Sequence, residues 1–304
     1  GQSMPSSTHA AFKAIAPFAP LSLADQAALA LTGFLTLVAC SWTVIPIYLL
    51  ARVALPAEGA WVTASLWPLC ASALMFQPTA DTAFPLLSTT SLACAAGATR
   101  TQWSGWRSAV LAWLAGVVLA LGMFFSLVFL AIGLIVGCLL ASWSRSGVLR
   151  VLMTGMGFLL TSAALWWISG ADLPRIWWAN QQNHQRFYLE YPRSHGSWAL
   201  VNPIEFAIGL GLPTVLLVMA ARPRDWTRPA VATVLVLLAL TLSGRSLSEV
   251  PRLWLPMMPA LLPMAARGWR RLELGGPGIA FTIVWLGVQV LALQTLVQVI
   301  YPIS

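Results

Sequence analysis

Apolar residues run through this chain in long blocks, and polar residues gather in the short gaps between them. A bilayer core of roughly 30 Å asks for about 15 to 25 consecutive apolar residues. By that measure ten spans are expected: 27–50, 60–76, 83–98, 108–122, 124–142, 150–169, 200–220, 230–243, 253–266 and 279–299. The first opens on Ser22-Leu23-Ala24-Asp25, a capping-box-like start. The block 108–142 reads either as one long helix or as two, broken at Gly122.

Charge placement decides that case. With two spans, eleven basic residues fall on one side: Arg52, Arg100, Arg107, Arg145, Arg150, Arg222, Arg224, Arg228, Arg267, Arg270 and Arg271. Six fall on the other: Lys13, Arg175, Arg186, Arg193, Arg245 and Arg252. The arginine-rich side is then expected to be cytoplasmic. Six carboxylates (Asp25, Asp81, Asp172, Glu190, Glu205 and Glu249) and the histidines His9, His184 and His195 go to the outer side.

Composition agrees with the pattern. Of 304 residues 59% are hydrophobic and 9% charged, against about 25% charged in soluble domains. The expected class is all-α, a polytopic transmembrane helix bundle in a bacterial inner membrane. The net charge of +8 is accounted for by the positive-inside bias rather than by nucleic acid. Cys40, Cys70, Cys94 and Cys138 lie inside apolar runs without ligand spacing and read as core residues. Residues 1–26 read as the remnant of an outer loop, ahead of a transmembrane domain over 27–304.

The polar breaks on the outer side hold the candidate chemistry. Gln77-Pro78-Thr79-Ala80-Asp81-Thr82 puts Asp81 at a helix start, either as a cap or as a contact for a sugar hydroxyl or metal. A long outer loop at 170–199 contains Asn180 to Trp198, NQQNHQRFYLEYPRSHGSW, where aromatic rings alternate with amides, histidine and arginine. Rings at a bilayer edge form an interfacial belt; mixed with arginine they also suit sugar faces and phosphates. His184 and His195 show no zinc-ligand spacing. In Ser243 to Arg252 the spacing of Arg245, Glu249 and Arg252 puts them on one face of a helical turn, either as a structural ion-pair cluster or as a lipid-phosphate site. Glu205 lies about one turn into its apolar run, near Asn202, a costly depth for a carboxylate unless it faces protein or a cavity. The chain contains no P-loop, dinucleotide fingerprint or nucleophile elbow.

Three passages resemble the polytopic GT-C glycosyltransferases, the group that includes protein O-mannosyltransferases and aminoarabinose transferases. They are Leu29 to Arg52, with the Asp81 hairpin after it; the pair around Gly116 to Gly137, with the break Leu121-Gly122-Met123-Phe124-Phe125; and Gly244 to Leu255. The resemblance implies transfer of a sugar from a polyprenyl-phosphate donor to an acceptor at the outer face. It puts the catalytic carboxylate in a loop upstream of Gly1, with Asp81 the candidate inside the chain. On this reading Arg245, Arg252, Arg186 and Arg193 take the donor phosphate. His184, Tyr188, Tyr191, His195, Glu249 and Asn202 contact sugar or acceptor. No cofactor is expected, a divalent metal is left open, and the partners are the lipid-linked donor and membrane lipids, not nucleic acid. A transporter or flippase, or a non-catalytic assembly subunit, is the alternative.

Overall fold

The computed structural model describes residues 22–100, 105–141, 144–190, 193–244, 246 and 249–296, without the side chains of 184, 187, 188 and 190. Arg245, Tyr191 and nearly all of the 1–26 segment therefore lie outside the described residues. Every regular element among the described residues is helical. In chain order they are α1 (Leu23–Trp42), α2 (Val44–Arg52), α3 (Ala57–Ser65), α4 (Ala71–Met75), α5 (Phe84–Ala98), α6 (Gly105–Phe125), α7 (Val128–Leu140) and α8 (Arg145–Ser169). Then come α9 (Leu173–Glu190), α10 (His195–Leu210), α11 (Leu212–Ala220), α12 (Arg228–Ser243), α13 (Val250–Leu253), α14 (Leu262–Arg271) and α15 (Gly276–Leu296).

The ten apolar runs do not become ten long helices. Four helices are long and apolar enough to cross a membrane, Leu23–Arg52, α6, α8 and α15, and a fifth if α10 and α11, bent by 101°, are one span. Such helices are the makeup of a membrane protein. Helices α7 and α12 are apolar but shorter. The run at 60–76 is α3 and α4 joined by a 3-10 turn around Pro68, and 253–266 begins with a 3-10 stretch, Leu255–Ala260, holding Pro256 and Pro259. Proline removes a backbone donor and interrupts the helical ladder. Irregular backbone in a bilayer has to be hidden in protein, and Leu255, Met257 and Met258 are fully buried. The unbroken helices α8 and α15 are instead mostly exposed along their length. An irregular segment thus sits in the core, together with much of α5 and α7, while α8 and α15 face outward.

Local signals explain the boundaries. Ser22 and Asp25 form the expected capping box: Asp25 N donates to Ser22 Oγ at 3.2 Å and Ser22 N to Asp25 Oδ2 at 3.3 Å. The block 108–142 is two helices, but the break falls at Ser126-Leu127, not at Gly122. Gly122 stays helical because its bare face receives the ring of Phe129 as α7 folds back on α6. Helices α6 and α8 cross tightly at Gly116 and Gly157: a Cβ at Gly116 would run into the Thr154 carbonyl, one at Gly157 into that of Trp113. Close approach of this kind, with buried hydroxyls as glue, holds helices where lipid removes the hydrophobic drive. Thr154 Oγ1 donates to Ala112 O at 2.7 Å, Ser91 Oγ to Ala115 O at 2.9 Å, and Ser88 Oγ to Pro256 O at 2.7 Å.

The long loop expected at 170–199 is largely helix α9. Asp172 accepts from Arg175 N at 3.0 Å, and Leu173 and Trp177 turn one side of the helix toward the core. Gln182, Gln185 and Arg186 are exposed on the helix. Among the cysteines, Cys40 and Cys70 are buried as expected, Cys94 is half-buried and Cys138 is exposed; all four thiols are free. Cys138 sits in an apolar run because α7 turns that side outward rather than into the core.

Five of the eleven arginines assigned to one side are tied together at one end of the bundle. Arg100 donates to Arg52 O, Arg52 Nη1 to Leu55 O at 2.9 Å, and Arg150 Nη1 to Ala98 O at 3.3 Å. Arg267 donates to Ala54 O at 3.1 Å and Arg271 to Ala220 O at 2.7 Å. Each accepting carbonyl lies at or just past a helix C-terminus, where orphan acceptors and the dipole favour cations.

Candidate functional site

The polar groups of interest collect at the opposite end, around α13. Asp81 stands in a 3-10 turn, Ala80–Ala83, that leads into α5. Arg252, on α13, reaches it: Nε lies 3.3 Å from Asp81 Oδ2, though Nε lacks the angle for a hydrogen bond. The same guanidinium donates through Nη2 to Glu249 Oε2 at 2.7 Å. Both partners of Arg252 are thus carboxylates. Glu249 is not on a helical face as the spacing predicts; it precedes α13 with φ 55°, ψ 24°, in the left-handed region. A non-glycine residue there costs on the order of 1 kcal/mol, and the salt bridge to Arg252 holds it. Burial pushes the Asp81 carboxyl above its ordinary range; Arg252 opposes this and Glu249 adds to it.

Helix α10 supplies the next wall. Ser194 caps it, accepting from Ser197 N at 3.5 Å, and His195, its first residue, lies 3.3 Å through Nε2 from the Thr241 carbonyl on α12. Arg193 lies over the Trp198 ring, 5.4 Å from its centroid. Two turns along, Asn202 is fully buried; its Nδ2 donates to Ser246 O at 2.7 Å, while Oδ1 has no partner among the described residues. Glu205 faces the Val250 backbone and the charges of Arg193 and Glu249, with Oε2 unpartnered. It therefore meets protein rather than lipid, as its depth requires. Among the described residues no three His, Cys, Asp or Glu side chains converge as a metal would need.

Beside this cluster lies a cleft of about 880 Å³. Its walls are apolar: Leu130 and Leu134 from α7, Val236 and Leu240 from α12, and Leu253 and Trp254 just after Arg252. Its head is polar: Ser126, Asn180, Gln181, Asn183, Ser243 and Ser246. Leu130 and Leu134 are 53% and 56% exposed, so the cleft opens sideways where lipid would lie. Trp254 is buried in it, and its Nε1 has no acceptor among the described residues. A shallower apolar furrow shares Leu134, Val236 and Ala239 and continues between α7 and α12 toward Arg228. From Ser243 to Arg228 this is 15 residues, or about 22 Å at 1.5 Å per residue.

Of the residues expected to form a site, Asp81 and Glu249 meet at Arg252, while Arg193 stands just before α10 and His195 and Asn202 on it contact Thr241 and Ser246. Arg186 is exposed on α9, and His184 and Tyr188 are on the same helix. The amides Asn180, Gln181 and Asn183 lie in the stretch Asn180 to Trp198 that the sequence singled out as a whole, and Trp254 in the passage Gly244 to Leu255, but none of the four was assigned a role by itself. No protein-family model, curated protein or solved structure matches the chain.

Proposed function

We propose that this protein is a membrane glycosyltransferase of the polytopic GT-C kind, moving a sugar from a polyprenyl-phosphate donor to an acceptor at the extracytoplasmic face. The cleft beside α13 carries this reading. It joins a long, laterally open apolar furrow to a head lined by amides and hydroxyls, the shape an isoprenoid chain with a glycosyl phosphate would need. Asn180, Gln181 and Asn183 offer amide donors and acceptors to sugar hydroxyls, and the Trp254 indole offers a further N–H.

Arg252, next to Leu253 and Trp254 in the chain, is the cation for the phosphate. Its bond to Glu249, whose side chain is 58% exposed, is the one an incoming phosphate would replace. Cationic stabilisation of the departing lipid phosphate lowers the barrier for the bond that breaks between the sugar and phosphate. Asp81, with its pKa raised by burial, suits the proton-accepting role toward the acceptor hydroxyl. Its pairing with Arg252 would couple acceptor activation to donor binding. The arginine-rich end then faces the cytoplasm.

The test is transfer by the full-length protein in vesicles carrying polyprenyl-phosphate sugars and candidate acceptors. Removal of the Arg252 charge in Arg252→Ala should lower the rate about 100-fold, and Asp81→Asn about as much. Unchanged transfer in Arg252→Ala would sink the phosphate assignment.

One observation favours a transporter: the break between α10 and α11, since discontinuous helices line transport sites. Inverted-repeat transporters carry such breaks in corresponding positions of both halves, whereas one bent pair is present among the described residues. Uptake or flipping by the protein without sugar transfer would favour that reading.

A further inference from the structure

A second groove lies far from α13 in the chain and is built by different helices. Leu86, Thr90, Ala93, Cys94 and Gly97 of α5 face Trp42, Ile45, Leu49 and Arg52 along α1 and α2. Each set recurs at three or four residues, so each is one stripe of a helix. The groove holds about 400 Å³. Trp42, Ile45 and Leu49 are all more than half exposed, so it too opens toward lipid. At its mouth stand two guanidiniums, Arg52 and Arg100.

The two ends have different chemistry. From Trp42 to Arg52 the groove runs ten residues, about 15 Å at 1.5 Å per residue, and its lining is apolar apart from Thr90 and the arginines. Half of a roughly 30 Å hydrocarbon core is about 15 Å. The groove thus matches the depth of one leaflet, with Trp42 at the deep end and both charges at the level of the headgroups. Arg52 and Arg100 are positioned, not free-swinging: Arg52 Nη1 donates to Leu55 O at 2.9 Å, and Arg100 donates to Arg52 O. A guanidinium has five N–H donors, and the bond from Arg52 to Leu55 uses one.

We infer that this groove is a binding site for an anionic phospholipid, one acyl chain lying between α2 and α5 and the phosphate held by Arg52 and Arg100. Charge selects the occupant: a zwitterionic headgroup brings its own cation to a site that already has two, whereas an anionic headgroup brings only the opposite charge. Basic pockets between membrane helices recognise lipid in this way. The depth of one leaflet distinguishes the groove from the longer furrow at α7 and α12. The inference does not depend on glycosyl transfer.

Native mass spectrometry of the protein with phosphatidylglycerol and phosphatidylcholine at equal concentration reads the site. One phosphatidylglycerol adduct should dominate. Its affinity should fall about fivefold in Arg52→Gln or Arg100→Gln and about 30-fold in the double variant. The Arg52→Lys/Arg100→Lys pair should restore most of the preference, and Ala93→Trp, which fills the groove without touching charge, should also weaken the adduct. Arg222→Gln/Arg224→Gln, removing two exposed arginines elsewhere, should leave it intact. Equal binding of both lipids, equal loss in the Arg222/Arg224 pair, no effect of Ala93→Trp, or displacement of the lipid by glycerol 3-phosphate would each overturn the proposal.

Discussion

Gln289 shows how one side chain can make a broken helix tolerable. At Gly211 the chain turns out of α10 with φ 102°, and the ladder of backbone bonds is interrupted. Gln289 of α15 spans the gap: Leu212 N donates to its Oε1 at 2.8 Å, and its Nε2 donates to Ile208 O at 2.8 Å. With no water to take its place, the Leu212 N–H would be expensive to leave open, whereas Ile208 O also accepts from Gly211 N at 3.2 Å. Gln289→Leu should lower stability by about 1–3 kcal/mol, read as a melting temperature in detergent; a wild-type value would contradict this role. Asp81 makes a second prediction at this scale. Its carboxyl is raised above the ordinary value of 3.8 because burial outweighs the attraction of Arg252. The folded state therefore holds the proton more tightly than the unfolded chain, and this contribution to stability is present below about pH 4 and lost as pH rises through the raised value. Asp81→Asn carries no such titration. Its stability should vary less across that acid window than the wild type's, and parallel pH curves for the two proteins would contradict the shift. The role of Gln289 was not legible in the sequence: it is one amide in an apolar run, and its use follows from a break 78 residues earlier in the chain.

At the scale of elements, the α6–α8 crossing is held by absence of bulk. Gly116 and Gly157 let each helix meet the other's carbonyls, and Thr154 adds a bond across the same contact. Gly157→Val should separate the pair and cost about 3 kcal/mol, while Gly155→Val, at a glycine with open space around it, should be nearly neutral in melting temperature. Equal effects would mean that the crossing is not what these glycines serve. The start of α1 was legible because caps act locally, in Ser22 with Asp25; the cap of α12, Thr227, accepting from Ala230 N at 3.4 Å, emerges only in the structure. The breaks were less so. Gly122 looked like an interruption and is instead a packing surface for Phe129. The run at 170–199 looked like a loop because its polarity hides an amphipathic helix with Leu173 and Trp177 turned inward.

For the whole molecule, part of the clustering of arginines was legible and the site's partners were not. Five of the eleven arginines assigned to one side by alternation of runs meet at one end, through bonds to backbone carbonyls. Asp81, Glu249 and Arg252 meet at the other because α13 comes beside a turn 170 residues earlier in the chain, which spacing cannot foresee. On the proposed reading the arginine-rich end faces the cytoplasm. In intact cells an impermeant maleimide should label Ser246→Cys and not Arg224→Cys, in a background without the native cysteines; the reverse would invert the molecule. The central claim is that the cleft between α7 and α12 seats a prenyl phosphate. A photoactivatable polyprenyl phosphate, crosslinked to the protein in vesicles and mapped by peptide mass spectrometry, tests it most directly. Labels should concentrate at Leu130 to Leu134 and Val236 to Leu240, disappear with excess unlabelled prenyl phosphate, and weaken in Arg252→Ala. Labelling spread evenly over the exposed faces of α8 and α15, indifferent to competitor, would contradict it.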